Sequence, residues 1–155
     1  MSNAAQRNGS AAETQQYTTF YVKDMFFGVE VLKVQEVLRY QQMTPVPLAP
    51  KVISGLINLR GQIVTAVDLR RRLGVEPRGE GETPLNVVVR SDDGAVSLLV
   101  DEIGDVVEAS PDLYEPPPET MNERARETIR GVYKFPGRLL LVLDTEKVLQ
   151  IESGA

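Results

Sequence analysis

The sequence predicts a mainly β protein, built as two barrels or sandwich halves with a few short helices. Three observations carry this. Short runs rich in Val, Ile, Leu, Phe and Tyr recur along most of the chain, each bounded by Gly, Pro, Asp or Asn, the punctuation of strands joined by turns. About eight or nine such runs can be drawn, and the stretches with helical character between them are short. Strands this short are better protected by closing or pairing small sheets than by one open sheet with exposed edges, and no repeat period signals a solenoid.

The first sixteen residues are Ala, Ser, Asn, Gln and Gly in the main, without an apolar segment, and are expected to form a flexible tail (1–16) with no secretory signal. The folded domain is expected over 17–152, with a short tail at 153–155. In "YTTFYVKDMFFGVEVLKVQEVLRY", Lys23-Asp24 reads as the turn between two strands of a meander. Val29, Val31 and Lys33 would share one face, and Val34, Glu36 and Leu38 one face of the next strand if it runs regularly. "MTPVPLAPKVISG" breaks the pattern with three prolines, and Pro50 is placed to open a short helix that Gly55 ends. "QIVTAVDL" returns to strand character before Asp68, a cap for "LRRRL", with Gly74 as the stop.

"VEPRGEGETP" has no apolar period and reads as an exposed loop. "LNVVVRSDDGAVSLLVDEI" is the clearest hairpin, hinged on Asp92-Asp93-Gly94, and "GDVVEA" adds a strand. From Ser110 to Arg130 the chain is polar and proline-rich, with "NERARETIR" offering at most two helical turns. "GVYKFPGRLLLVLD" forms a second hairpin at Pro136-Gly137, and Asp144 caps a last helix, "TEKVLQI".

Composition excludes several function classes. The chain of 155 residues is 42% apolar, enough for a real core, and its net charge of -5 with a pI near 4.9 opposes nucleic-acid binding, which needs a basic face to displace counterions from phosphates. It has no cysteine and no histidine, so the usual zinc ligands, thiolate chemistry and the commonest general base are missing. The longest aliphatic run, Leu139 to Leu143, falls far short of the roughly twenty residues that cross a bilayer, so direct membrane insertion is not expected and a cytoplasmic location is.

The acids Asp92, Asp93, Asp101, Glu102 and Asp105 come nearest to a carboxylate cluster, but turns and bends ask for Asp at most of these positions. No EF-hand loop, P-loop or G-x-G-x-x-G occurs, so no metal and no cofactor is expected. Arg70, Arg71 and Arg72 point about 100° apart on a short helix and cannot form one tight site; a solvated face with one arginine folded onto acids is expected. Arg60, in "INLRGQ", is different. Asn58 and Gly61 tolerate positive φ, so the backbone can turn sharply and present the guanidinium outward, either to an internal ion pair or to a partner.

Three motifs, "GLINLRGQIVTAVDLRRRLG", "LLVDEIGDVVE" and "GVYKFPGRLLLVLDTEKVL", in this order and spacing, resemble the chemotaxis coupling protein family, CheW, over about Tyr17 to Ile151. The resemblance implies two five-stranded SH3-like β-barrels side by side. It implies no enzymatic activity but a scaffold, bridging the cytoplasmic tip of a transmembrane, methyl-accepting chemoreceptor to the regulatory domain of the histidine kinase CheA, recruited from the cytoplasm to membrane-associated receptor arrays. The same module in a pathway for twitching motility or development is the alternative. Arg60, Glu36 and Val34 match family positions for receptor contact, with Glu36 orienting Arg60 across a groove between barrels. Gly55, Asn58, Gly61, Asp68, Asp101, Gly131 and Asp144 match motif positions read as turn and cap residues. The kinase-facing residues are not assigned. Thr65 stands where the family often has proline, which restores a backbone donor and implies altered edge or bulge geometry there.

Overall fold

The computed structural model describes residues 14–110, 112 and 114–150. The strands are β1 (Gln15–Val22), β2 (Met25–Glu30), β3 (Val34–Leu38), β4 (Ile53–Leu59), β5 (Gln62–Asp68), β6 (Leu85–Ser91), β7 (Gly94–Val100), β8 (Glu102–Ala109), β9 (Tyr114–Glu115), β10 (Ile129–Phe135) and β11 (Arg138–Leu143). Three one-turn helices, α1 (Leu69–Arg72), α2 (Glu123–Glu127) and α3 (Thr145–Val148), and a 3-10 turn at Val31–Lys33 complete the described elements. The strands form two sheets, of order β9-β10-β11-β2-β1-β8 and β3-β6-β7-β5-β4. All neighbours are antiparallel except β11 with β2 and β5 with β7.

The mainly β, two-lobed architecture is the one expected, but the lobes are open sheets of six and five strands rather than two closed five-stranded barrels. The extra strand is β9, two residues of the proline-rich stretch that pair with Val132 and Tyr133. The five-stranded sheet curls until its outer strands approach: Thr44, beyond the end of β3, exchanges two backbone hydrogen bonds with Leu56 of β4 at 2.9 and 2.8 Å.

Packing explains why so many strands are continuous apolar runs rather than alternating ones. Phe20, Phe27, Val67, Val87, Leu98 and Val100 meet in a core shared by both sheets. The opposite faces of the same strands fill a second core with Tyr17, Phe26, Tyr133, Leu140 and Val142 in one lobe, and a third with Ile57, Val64, Ala66, Val88 and Leu99 in the other. A strand such as Leu98-Leu99-Val100 is therefore buried on both sides, which demands apolar residues at consecutive positions.

Several expectations are corrected. β1 begins at Gln15, inside the stretch assigned to the tail, because Gln15 and Gln16 pair with Ala109 and Glu108; the rest of that assignment, 1–13, and the 153–155 tail lie outside the described residues. No helix follows Pro50. Its carbonyl accepts the N–H of Ile53 in a turn, and Gly55 lies inside β4 at a bulge. A Cβ there would stand 2.6 Å from the Thr44 carbonyl oxygen, so the residue is glycine because a neighbouring backbone crosses it. Gly131 is likewise no turn residue: it sits in β10 beneath Tyr114, and a Cβ would come 2.7 Å from the Glu115 carbonyl oxygen. Replacing Gly55 with Ala is expected to cost about 1–3 kcal/mol by forcing Thr44 off β4, read as a lower urea midpoint with unchanged slope; an unchanged midpoint would show that the crossing relaxes freely.

Thr65 is not at a sheet edge. It lies in the interior strand β5, opposite Leu56 on one side and Val96 on the other. Asp68 and Asp144 are caps as expected: Asp68 accepts from the Arg70 N–H at 3.0 Å and Asp144 from the Lys147 N–H at 3.2 Å.

Candidate partner-binding site

The stretch "NLRGQ" is the tip of the β4–β5 hairpin. Leu59 pairs with Gln62, leaving Arg60-Gly61 as a two-residue turn with φ of 52° and 87°. Two successive positive φ values give the twist that two antiparallel strands need. Gly61 takes its angle without cost, while Arg60 adopts a conformation that residues with a side chain rarely enter. Asn58 does not itself turn; its Oδ1 accepts the Gly61 N–H at 2.9 Å and fixes the hairpin. The sequence reading had the turn but gave positive φ to Asn58 instead of Arg60.

So fixed, the Arg60 guanidinium reaches β3, donating from both terminal nitrogens to the two Glu36 oxygens at 2.7 and 2.8 Å. The geometry is bidentate, the form in which arginine orients most sharply on a carboxylate. Arg60's hydrogen bonds hold the Glu36 carboxyl below the usual carboxylate range, and Glu36 raises the already high pKa of the guanidinium. The Glu36 side chain is 20% exposed and that of Arg60 74% exposed, so the acid lies beneath and the cation is presented to solvent. The pair joins the two outer strands of one sheet, not a groove between lobes as the family resemblance implies.

Val34 does not join it. Between Val34 and Glu36 the register shifts by one residue, so Val34 stands opposite Val89 while Glu36 stands opposite Val88. A bulge turns every following side chain to the other face, and Val34 packs on the shared core with Val89. The regular strand assumed from the sequence would have put Val34, Glu36 and Leu38 together. The apolar residue on the hairpin that sequence reasoning missed is Ile63, 60% exposed. Its side chain alternates with that of Val64, which fills the lobe interior, but Ala66 and Val67 of the same strand are both buried, so the residue types alone do not mark Ile63 as exposed.

A second charged cluster lies where the chain passes from one sheet to the other. Asp101, between β7 and β8, receives Arg70 Nε at 3.0 and 3.1 Å, Arg70 Nη2 at 2.9 Å and Arg78 Nη2 at 2.8 Å. It also accepts the Lys23 N–H at 2.6 Å, while its own N–H donates to the Tyr21 carbonyl. Arg78 bonds Asp68 at 3.0 Å as well. Burial raises the Asp101 pKa, but the Arg70 hydrogen bonds, the Lys23 amide and the Arg78 charge outweigh it, and the carboxyl is held below its ordinary value. Asp101 is therefore a clamp between lobes rather than a turn residue, and its ion pairs withdraw it from any catalytic pairing.

The three consecutive arginines do point apart: Arg70 to Asp101, Arg71 toward Asp68 at 3.6 Å, and Arg72 to the Lys147 and Val148 carbonyls. Arg70, 13% exposed, is the one arginine folded onto acids, Arg71 stays 41% exposed, and only Arg72, turned onto backbone carbonyls, departs from the solvated face expected. Arg78 was missed because "VEPRGEGETP" looks uniformly exposed, and only the fold shows its side chain to be no more than 9% exposed.

These features define a class: a two-lobed β module that presents an exposed arginine, oriented by a carboxylate, on a hairpin turn fixed by Asn58. The chain belongs to the CheW-like domain family, whose model matches residues 16–153. It is similar to the "Chemotaxis protein CheW" of Klebsiella aerogenes, 32% identical over 94% of this chain and 89% of that protein. It is also similar to "Protein FrzA" of Myxococcus xanthus, 30% identical over 90% of this chain and 88% of that one. The crystal structure of the scaffolding protein TtCheW from Thermoanaerobacter tengcongensis has the same fold, with a TM-score of 0.80 at 24% identity, covering 91% of this chain and 96% of that one.

Proposed function

We propose that this chain is a non-catalytic adaptor that couples the cytoplasmic tips of transmembrane chemoreceptors to the regulatory domain of the histidine kinase CheA, and that the Glu36–Arg60 hairpin is part of its receptor face. The observation that carries the site is the contrast within the pair: a carboxylate held below, a guanidinium displayed above, on a backbone turn fixed by Asn58. A receptor tip built as a helical hairpin would meet an oriented cation on a hairpin that also exposes Ile63, the mixture of apolar contact and placed charge that docks a helix. Val34, facing inward, acts on this surface only through the packing of β3. No described helix is long and apolar enough to cross a membrane, so recruitment to a membrane array would come through the receptor. The kinase-facing residues stay unassigned.

Arg60→Glu is expected to weaken binding of a soluble receptor signalling hairpin by at least about tenfold, leaving circular dichroism and the melting temperature near wild type because the substituted side chain is exposed. Arg60→Lys, which keeps the charge but not the fork, should fall between. Unfolding of Arg60→Glu would mean that the arginine holds the fold instead. Service in a different chemosensory pathway is the second reading, favoured by the similarity to FrzA, a relative named outside the chemotaxis series; binding to the receptors of one system and not the other separates the two.

A further inference from the structure

Lys51, Arg71 and Arg124 converge on a cleft of roughly 250 Å3 whose remaining walls are Val52, Gly74, Val75 and Pro77. Among the described residues no acid lines it, in a chain whose net charge is -5. Lys51 and Arg124 enter no ion pair among the described residues, and Arg71 has only Asp68, at 3.6 Å, whose carboxylate already serves Arg78 and the first turn of α1. Arg72, bonded to the Lys147 and Val148 carbonyls, is near enough to Arg124 to feel its charge. Burial lowers the Arg72 pKa, and the charge of Arg124 pushes the same way against the opposing Glu127. Three cations around one concave site repel one another even where solvent reaches them, a modest cost that a bound anion would relieve.

The three cations come from distant parts of the chain. Lys51 precedes β4, Arg71 lies on α1, and Arg124 on α2, which leads into β10 of the other sheet. Gly74 at the end of α1 leaves room for the Arg124 stem, since a Cβ there would stand 3.0 Å from its Cδ.

We propose that this cleft binds a small ligand through its phosphate groups, with the Arg71 and Arg124 forks and the Lys51 ammonium as the receiving donors. Guanidinium forks match phosphate oxygens two at a time, and a concave cleft of this size admits a pyrophosphate-like group better than the flat surface of a protein. Because Arg124 belongs to the lobe opposite Arg71, a bound phosphate would tie α2 to α1.

The test is a titration of the whole protein with inorganic pyrophosphate at constant ionic strength, followed by amide chemical shifts. Saturable shifts centred on Val52, Gly74 and Val75 are expected, with Kd below about 1 mM and weakened at least about fivefold in Arg124→Gln and in Lys51→Gln. Arg39→Gln, remote from the cleft, should bind as wild type. Identical shifts with sodium chloride alone, or retention of binding by both cleft variants, would overturn the proposal. So would a polyglutamate peptide that binds there when pyrophosphate does not, which would make the cleft a contact for an acidic protein.

Discussion

Asp101→Ala is expected to lower stability by about 3 kcal/mol, the low end for breaking a buried ion pair, and the melting temperature by roughly 6–12 °C for a chain of this size. The cost arises from what remains. Arg70 and Arg78, only 13% and 9% exposed, would keep their charges and lose their shared partner, while the Lys23 amide would lose its acceptor. Acid should mimic the mutation. The folded-state pKa of Asp101 is depressed, so its stabilisation is fully present above the ordinary carboxylate range and disappears as pH falls below about 4 through the folded-state value. Urea denaturation between pH 3 and 7 should therefore show a decline at the acid end that is shallower in Asp101→Asn. Equal slopes in the two proteins would assign acid sensitivity to other carboxyls.

Phe27→Ala should cost about 3–5 kcal/mol. Phe27 is fully buried, stacks on Phe20 with centroids 5.8 Å apart, and belongs to the core shared by both sheets. A cavity there loosens both lobes at once, so a single, earlier transition is expected, with fluorescence of a probe on either lobe moving together. Two separated transitions would show that each lobe is held by its own inner core. Phe26, one residue earlier, faces the inner core of one lobe only, and its loss should be felt mainly there.

The strands were legible because turn chemistry marks their ends: Lys23-Asp24, Asp92-Asp93 and Pro136-Gly137 each separate the paired strands that the residue types imply. What failed depended on contacts distant in sequence. Nothing near Gly55 or Gly131 announces the backbone and ring that cross them, so both read as stops or turns. β4 was hidden because prolines before it suggested a helix start. The bulge before Glu36 is set by pairing with β6, and it separated Val34 from the charged residues with which it was grouped. Arg60 and Glu36 could be associated from complementary charge and family resemblance, whereas the reach of Arg78 to Asp68 and Asp101 required the loop's actual path.

The most direct test of the adaptor reading is titration calorimetry of the wild type and Arg60→Glu against two partners, a soluble receptor signalling hairpin and the CheA regulatory domain. The account predicts that the wild type binds both and that Arg60→Glu, still folded, loses the receptor hairpin while keeping the kinase domain. A folded wild type that binds neither verified partner, or an Arg60→Glu protein that binds the receptor hairpin as tightly as wild type, would contradict it.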